Sequence, residues 1–92
     1  MTERLVVLGG LDLDARREFI ASASGVIDKA KGHIKLDCAQ LDVADGPTLG
    51  MLVMVARFAQ RRGKQVVLDM PSVRVRRDLD EAGVTNLFAW PV

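Results

Sequence analysis

A chain of 92 residues, 49% of them hydrophobic, has the size and apolar content of one folded domain, predicted over residues 1–92. The charged share of 27% and net charge of +1 exclude a disordered chain, and the single cysteine excludes an intrachain disulfide or a cysteine-based metal site. The longest uncharged apolar stretch, residues 46–56, is too short to span a membrane, and the N-terminus lacks a signal-peptide pattern, so we expect a cytoplasmic protein.

The chain alternates between strand-like and helix-like patterns. Strands are predicted at residues 4–8, 33–38 and 65–70 because aliphatic residues cluster or alternate there. Apolar residues three and four apart predict the intervening helices. These helices begin at Asp12 or Asp14 and stop at Gly32; run from Pro47 to about Arg62, before Gly63; and run from Pro71 or Ser72 to about Ala82, before Gly83. Residues 84–88 form a last short element of undetermined type. The order β-α-β-α-β-α predicts an α/β fold.

The helix predicted for residues 47–62 is apolar on two sides. One set of apolar residues, from Leu49 to Ala59, has the spacing of a core-facing stripe. A second set lies on another face and consists of Met51, Met54, Val55 and Phe58. Either neighbouring helices cover this second set, or it forms a protein-binding surface rimmed by Arg57, Arg61 and Arg62.

Residues that carry chemistry do not form a catalytic group in this sequence. His33 stands alone, and Cys38 falls in an apolar strand, where an inert buried thiol is expected. The acids after the strands, Asp37, Asp42, Asp45 and Asp69, are of the kind that loops and helix caps use routinely. We therefore predict no enzyme, no metal and no cofactor, although an anion at the helix start near Pro47 stays open.

Positive charge is concentrated between residues 57 and 77, where seven Lys or Arg residues accompany one acid, Asp69. A basic segment of this kind is found in nucleic-acid-binding proteins and in proteins with acidic partners. Aromatic residues that would stack on bases are absent from this segment apart from Phe58, so we do not expect nucleic-acid binding.

Four segments resemble the STAS domain family, the sulfate-transporter and anti-sigma-factor-antagonist fold. They are GGLD at residues 9–12, HIKLDCAQLDVADGPTLG at residues 33–50, RGKQVVL at residues 62–68, and the stretch from Pro71 to Val84. The resemblance spans nearly the whole chain, and the order and spacing of the segments carry it. It implies a small mixed β-sheet of about four strands with helices packed on one face, and a protein-interaction module that is not an enzyme.

In the bacterial regulators of this family, a kinase that is also an anti-sigma factor phosphorylates a Ser or Thr directly after a loop Asp. Asp45 matches that Asp, but Gly46 stands at the phosphoacceptor position, so the resemblance implies that the usual switch is absent. Thr48 is the nearest hydroxyl and is either a first-turn helix residue or an alternative phosphoacceptor.

The resemblance leaves two functions open. One is an anti-sigma factor antagonist that binds a kinase or anti-sigma partner, and the other is an accessory subunit that binds the ATPase of a phospholipid-trafficking ABC transporter. Either partner would contact the loop at residues 42–48 and the helix at residues 47–62, through Asp42, Asp45, Gly46, Thr48, Met51, Met54, Val55 and Phe58. Arg74, Arg76 and Arg77 would widen the surface. An N-terminal strand common in the family is missing before Gly9, so an exposed sheet edge and a homodimer are also expected.

Overall fold

The computed structural model describes residues 3–90 and has the predicted order of elements. The strands are β1 (Glu3–Val6), β2 (Ile34–Asp37) and β3 (Val66–Asp69), and the helices are α1 (Leu13–Lys29), α2 (Gly46–Arg61) and α3 (Val73–Glu81). The element of undetermined type is a 3₁₀ turn at Thr85–Leu87. Within the described range no helix has the length and apolar character needed to cross a bilayer.

The three strands form a parallel sheet in the order β1-β2-β3. Their register aligns Leu5 with Leu36 and Leu36 with Leu68. The α/β class is confirmed, but the expectation of a mixed sheet of about four strands is corrected. The helices between strands return the chain to the same end of the sheet, which makes every pairing parallel. Among residues 3–90, a fourth position beside β3 holds only Ala89, which forms one parallel bridge to Val67.

The core lies between the sheet and the helices. In β2 and β3 alternate residues are buried, and the residues between them are half-buried. Right-handed connections between neighbouring parallel strands place all three helices on the same face, where the buried alternates meet them. The largest fully buried side chains include Ile27, Leu36, Leu52, Leu68 and Leu79, one each from α1, β2, α2, β3 and α3. Among residues 3–90 the outer edge of β1 pairs with no strand, and homodimerisation through this edge stays a prediction.

Each helix begins with a side-chain cap in the loop that follows a strand. Asp12, and not Asp14, caps α1 by accepting a 2.8 Å hydrogen bond from the amide of Ala15. Ser72, and not Pro71, caps α3 by accepting a 3.0 Å hydrogen bond from the amide of Val75. Such caps satisfy amides that the first helical turn leaves without a partner, so they fix where each loop ends.

Candidate functional site

Three loops leave the sheet at the carboxyl ends of its parallel strands. Because the strands run in one direction, residues 7–12, 38–45 and 70–72 meet at one end of the domain. We call this end, with the first turns of the helices, the loop end. Seven large hydrophobic residues are exposed between residues 3 and 90. Six of them lie at the loop end or at the last position of a strand: Val6, Leu8, Leu13, Val43, Met70 and Val73. Exposed apolar side chains gathered at one end are typical of an interaction surface.

The loop between β2 and α2 is held by buried residues and by backbone hydrogen bonds. Leu41 and Ala44 are buried, at 2% and 3% exposure. The amide of Ala44 donates to the carboxylate of Asp78 on α3 at 2.9 Å. Between these anchors Asp42 and Val43 are exposed. The loop therefore presents one acidic and one apolar side chain on a fixed backbone.

The first turn of α2 contains the position where the resemblance predicts a missing phosphoacceptor. Asp45 caps this helix, accepting a 3.0 Å hydrogen bond from the amide of Thr48. The hydrogen bonds from that amide and from the Thr48 hydroxyl lower the pKa of Asp45. Thr48 is only 4% exposed, whereas Gly46 is exposed and a Cβ added there would meet no atom within 4 Å. The surface at this turn is therefore formed by Asp45 and Gly46, with Thr48 beneath it.

A small polar cavity of about 200 Å³ lies at the loop end. Its lining consists of Gly9, Gly10, Gln40, Asp42, Val43 and Asp45. Gly10 has a positive φ of 68°, and a Cβ on Gly9 would lie 3.1 Å from Cδ1 of Leu41. The glycine pair thus allows the chain to turn closely against the next loop. In the sequence this pair belongs to the GGLD segment that resembles the STAS family, and nothing there predicts that it lines a cavity with Asp42 and Asp45.

The other two acids at the strand ends have a different environment. The guanidinium of Arg4 lies 3.3 Å from the Asp37 carboxylate and 2.8 Å from that of Asp69. Asp37 also accepts a 2.9 Å hydrogen bond from the amide of Ala39. These pairs join all three strands and raise the pKa of Arg4. Among the described residues, no group of three or more potential metal ligands is close enough to hold an ion.

The second apolar set on α2 is divided between the core and the surface. Met51 and Val55 are buried, at 3% and 0% exposure, because α1 packs against this side of α2. Met54 is 56% exposed, and Phe58 is half-buried with the Arg62 guanidinium 3.4 Å from its ring centroid. Placing all four at a surface was therefore wrong for Met51 and Val55, and only Met54 and Phe58 are available to a partner.

Cys38 is buried at the end of β2, as predicted, at 1% exposure. Burial, followed by the negative charges of Asp37 and Asp69, raises the pKa of its thiol to about 11. A thiol with such a pKa stays protonated at neutral pH and is a poor nucleophile. His33 is exposed just before β2, and therefore lies outside the loop end.

Residues 2–89 match the family model described as MlaB, STAS domain. Two similar solved structures are of TM1081 from Thermotoga maritima, a protein considered to be an anti-sigma factor antagonist. The crystal structure has a TM-score of 0.75 at 16% identity, covering 97% of this chain and 80% of that one. The NMR structure has a TM-score of 0.83 at 18% identity, covering 98% and 73%. No curated protein matches the chain.

Proposed function

Because this chain belongs to the STAS domain family, as its sequence segments predicted, we propose that it is a protein-interaction module that binds its partner through the loop end and the exposed part of α2. The favoured partner is an anti-sigma factor or serine kinase, bound without phosphorylation of this chain. The fold shared with the Thermotoga maritima protein supports a regulator of this type.

The observation that carries the proposal is the composition of the loop end. Exposed apolar side chains, Val43 and Met70 among them, lie at the same end as the exposed carboxylates of Asp42 and Asp45. Buried Leu41 and the bond from Ala44 to Asp78 hold the central loop, so little conformational entropy is lost when a partner binds it. The acids favour a partner that is basic where it meets this end.

A second candidate is the accessory subunit of a phospholipid-trafficking ABC transporter, bound to its ATPase. The first turn of α2 supports this alternative: Gly46 has no hydroxyl, and Thr48 is buried beneath Asp45. A subunit that stays assembled needs no phosphorylation switch, whereas the regulators of the family use one. Both candidate functions predict that the same surface contacts an ATP-binding protein. Direct binding measurements with each protein therefore distinguish the two functions.

The test is titration calorimetry with both candidate partners, purified from the same host, against wild type and two glycine variants. Gly46→Glu adds bulk and negative charge at the loop end, and negative charge is tolerated at a helix N-terminus, so the fold is kept. Gly25→Glu is the matched control, since Gly25 is exposed on α1 and an added Cβ there also meets no atom within 4 Å.

We expect one candidate to bind wild type and Gly25→Glu alike, and Gly46→Glu at least about tenfold more weakly. If the ATPase binds and the anti-sigma factor or kinase does not, the chain is assigned as the transporter subunit and not as the regulator. Equal binding by Gly46→Glu and wild type would overturn the assignment of the loop end as the contact surface. Failure of both candidates to bind would contradict the proposed function.

A further inference from the structure

We propose that the groove between α1 and α2 binds an acidic amphipathic helix of the partner protein. This inference rests on the proposed function and identifies the chemistry of the segment that contacts α2. It adds a contribution from α1 that the sequence did not suggest.

The groove is formed by two adjoining cavities of about 280 and 140 Å³, which share Ile20 and Met54. The first extends to Leu13, which is 52% exposed, and the second to Ser24 and Phe58. From Leu13 to Ser24 the α1 backbone rises about 17 Å, or three helical turns. This length and the apolar floor fit one face of a helix, whose side chains at i, i+3, i+4 and i+7 would fill it.

Positive charge surrounds this apolar floor. Four arginines line the two cavities, Arg16 and Arg17 from α1 and Arg57 and Arg61 from α2, and no carboxylate lines either. In the part of the chain that the structure describes, ion pairs with carboxylates involve Arg4 and Arg62 and none of these four. Four basic groups around an apolar groove favour an occupant with acidic flanks. Attraction between opposite charges speeds its association, and repulsion between like charges disfavours basic competitors.

Arg16 connects the groove to the loop end. Its guanidinium donates a 2.7 Å hydrogen bond to the carbonyl of Leu11, which fixes it beside the start of α1. Its charge also contributes to lowering the pKa of Asp45. A partner helix in the groove would therefore lie next to whatever binds the loop end, and one partner can occupy both.

Two other occupants fit the groove less well. A membrane surface contacts protruding side chains, whereas this apolar surface is concave. A second copy would have to offer an exposed acidic apolar helix. The acidic residues 78–81 lie on α3, but Val75 and Leu79 of that helix are fully buried and Val73 is its one exposed apolar residue. The helix of a different protein is thus the occupant that the charge and shape favour.

The test uses two fluorescent peptides of about 18 residues, with the same leucine stripe flanked by glutamate in one and lysine in the other. Fluorescence anisotropy measures their binding to wild type, Met54→Glu, Arg57→Glu and the control Arg74→Glu. Arg74 is an exposed arginine on α3 and lines neither cavity of the groove. Circular dichroism establishes that each variant is folded, and exposure of Met54 and Arg57 makes both substitutions compatible with the core.

We expect the glutamate peptide to bind at least about tenfold more tightly than the lysine peptide, and the Met54→Glu and Arg57→Glu variants to lose at least about tenfold in affinity. Arg74→Glu should bind the peptide as wild type does. Equal binding of both peptides, no binding of the glutamate peptide, or an effect of Arg74→Glu as large as that of Arg57→Glu would overturn the inference.

Two further measurements test the other occupants. Binding to phosphatidylglycerol vesicles that Met54→Glu abolishes, or a dimer in sedimentation that Met54→Glu dissociates, would overturn the inference in favour of a membrane or a second copy. The two proposals can fail separately. If a candidate partner binds wild type and Met54→Glu alike, the groove and the α2 contact are excluded, and binding through the loop end stands. If the peptide binds but no candidate partner does, the proposed function is excluded and the groove stands.

Discussion

The carboxylate of Asp78 on α3 accepts a 2.9 Å hydrogen bond from the backbone amide of Ala44, in the loop before α2. This bond joins residues 34 positions apart in the chain and holds the loop that presents Asp42 and Val43. The third helix therefore supports the loop end through a single hydrogen bond.

Removing this bond should loosen the loop. We expect Asp78→Ala to lower the free energy of unfolding by about 1–3 kcal/mol, because the Ala44 amide loses a charged acceptor in a half-buried place. Asp78→Asn is the control, since its side-chain oxygen can still accept the bond. Urea unfolding gives the stability, and hydrogen exchange at the Ala44 amide gives the local effect. Unchanged exchange in Asp78→Ala would show that the bond does not hold the loop.

Substitution by glutamate should affect stability very differently at the neighbouring residues Met54 and Val55. Met54 is 56% exposed, so Met54→Glu should change the free energy of unfolding by no more than about 0.5 kcal/mol. Val55 is fully buried, so Val55→Glu places an unpaired carboxyl in the core and should abolish cooperative folding. Thermal unfolding of both variants, monitored by circular dichroism, measures these effects. A folded Val55→Glu variant would contradict the packing of α1 on α2.

The cap at Asp45 should make part of the stability pH-dependent. Its pKa is lowered in the folded state, so the ionised cap contributes its full stabilisation above the unfolded value of about 3.9 and loses it as the pH falls through the folded value. Asp45→Asn keeps a capping oxygen but no charge. We expect wild type to melt above Asp45→Asn at pH 6 and the difference between the two melting temperatures to be smaller at pH 3, below the unfolded value.

Asp42→Asn, a change of the same kind in the exposed part of that loop, is the control for this titration. A difference between wild type and Asp45→Asn that is the same at both pH values would contradict the role of the charge in the cap.

Cys38 should resist thiol reagents while the protein is folded. With its pKa raised to about 11, roughly one thiol in a thousand is ionised at pH 8, and the side chain is buried as well. Ellman's reagent should therefore react with the native protein far more slowly than with the protein in guanidinium chloride. Equal rates in the two states would show that the end of β2 opens readily.

The order of elements and their limits could be predicted from local patterns. Aliphatic runs identified the strands, and the helix starts were predicted at Asp12 or Asp14, at Pro47, and at Pro71 or Ser72, because capping depends on residues within one turn. The caps in the structure are Asp12, Asp45 and Ser72, each at or within two residues of a predicted start. The strand count was too high because Ala89 forms only a single bridge to β3, a contact that no pattern in the sequence indicates.

The composition of the site was harder to predict. Helical spacing placed Met51 and Val55 on one face, but spacing alone does not show that α1 covers them. The apolar residues of the loop end come from separate segments, so no single motif contains both Val43 and Met70. Only the parallel arrangement of the strands brings those segments together.

We propose that the loop end, continued by the α1–α2 groove, contacts the partner. The most direct measurement is the change in ¹H–¹⁵N NMR shifts of the labelled chain when the candidate partner that binds it is added. We predict the largest changes at the amides of Gly10, Val43, Gly46 and Met54, with little change at Gly63 or Gly83, which follow α2 and α3 at the opposite end. Changes centred on Gly63 and Gly83, with the loop end unaffected, would contradict the account.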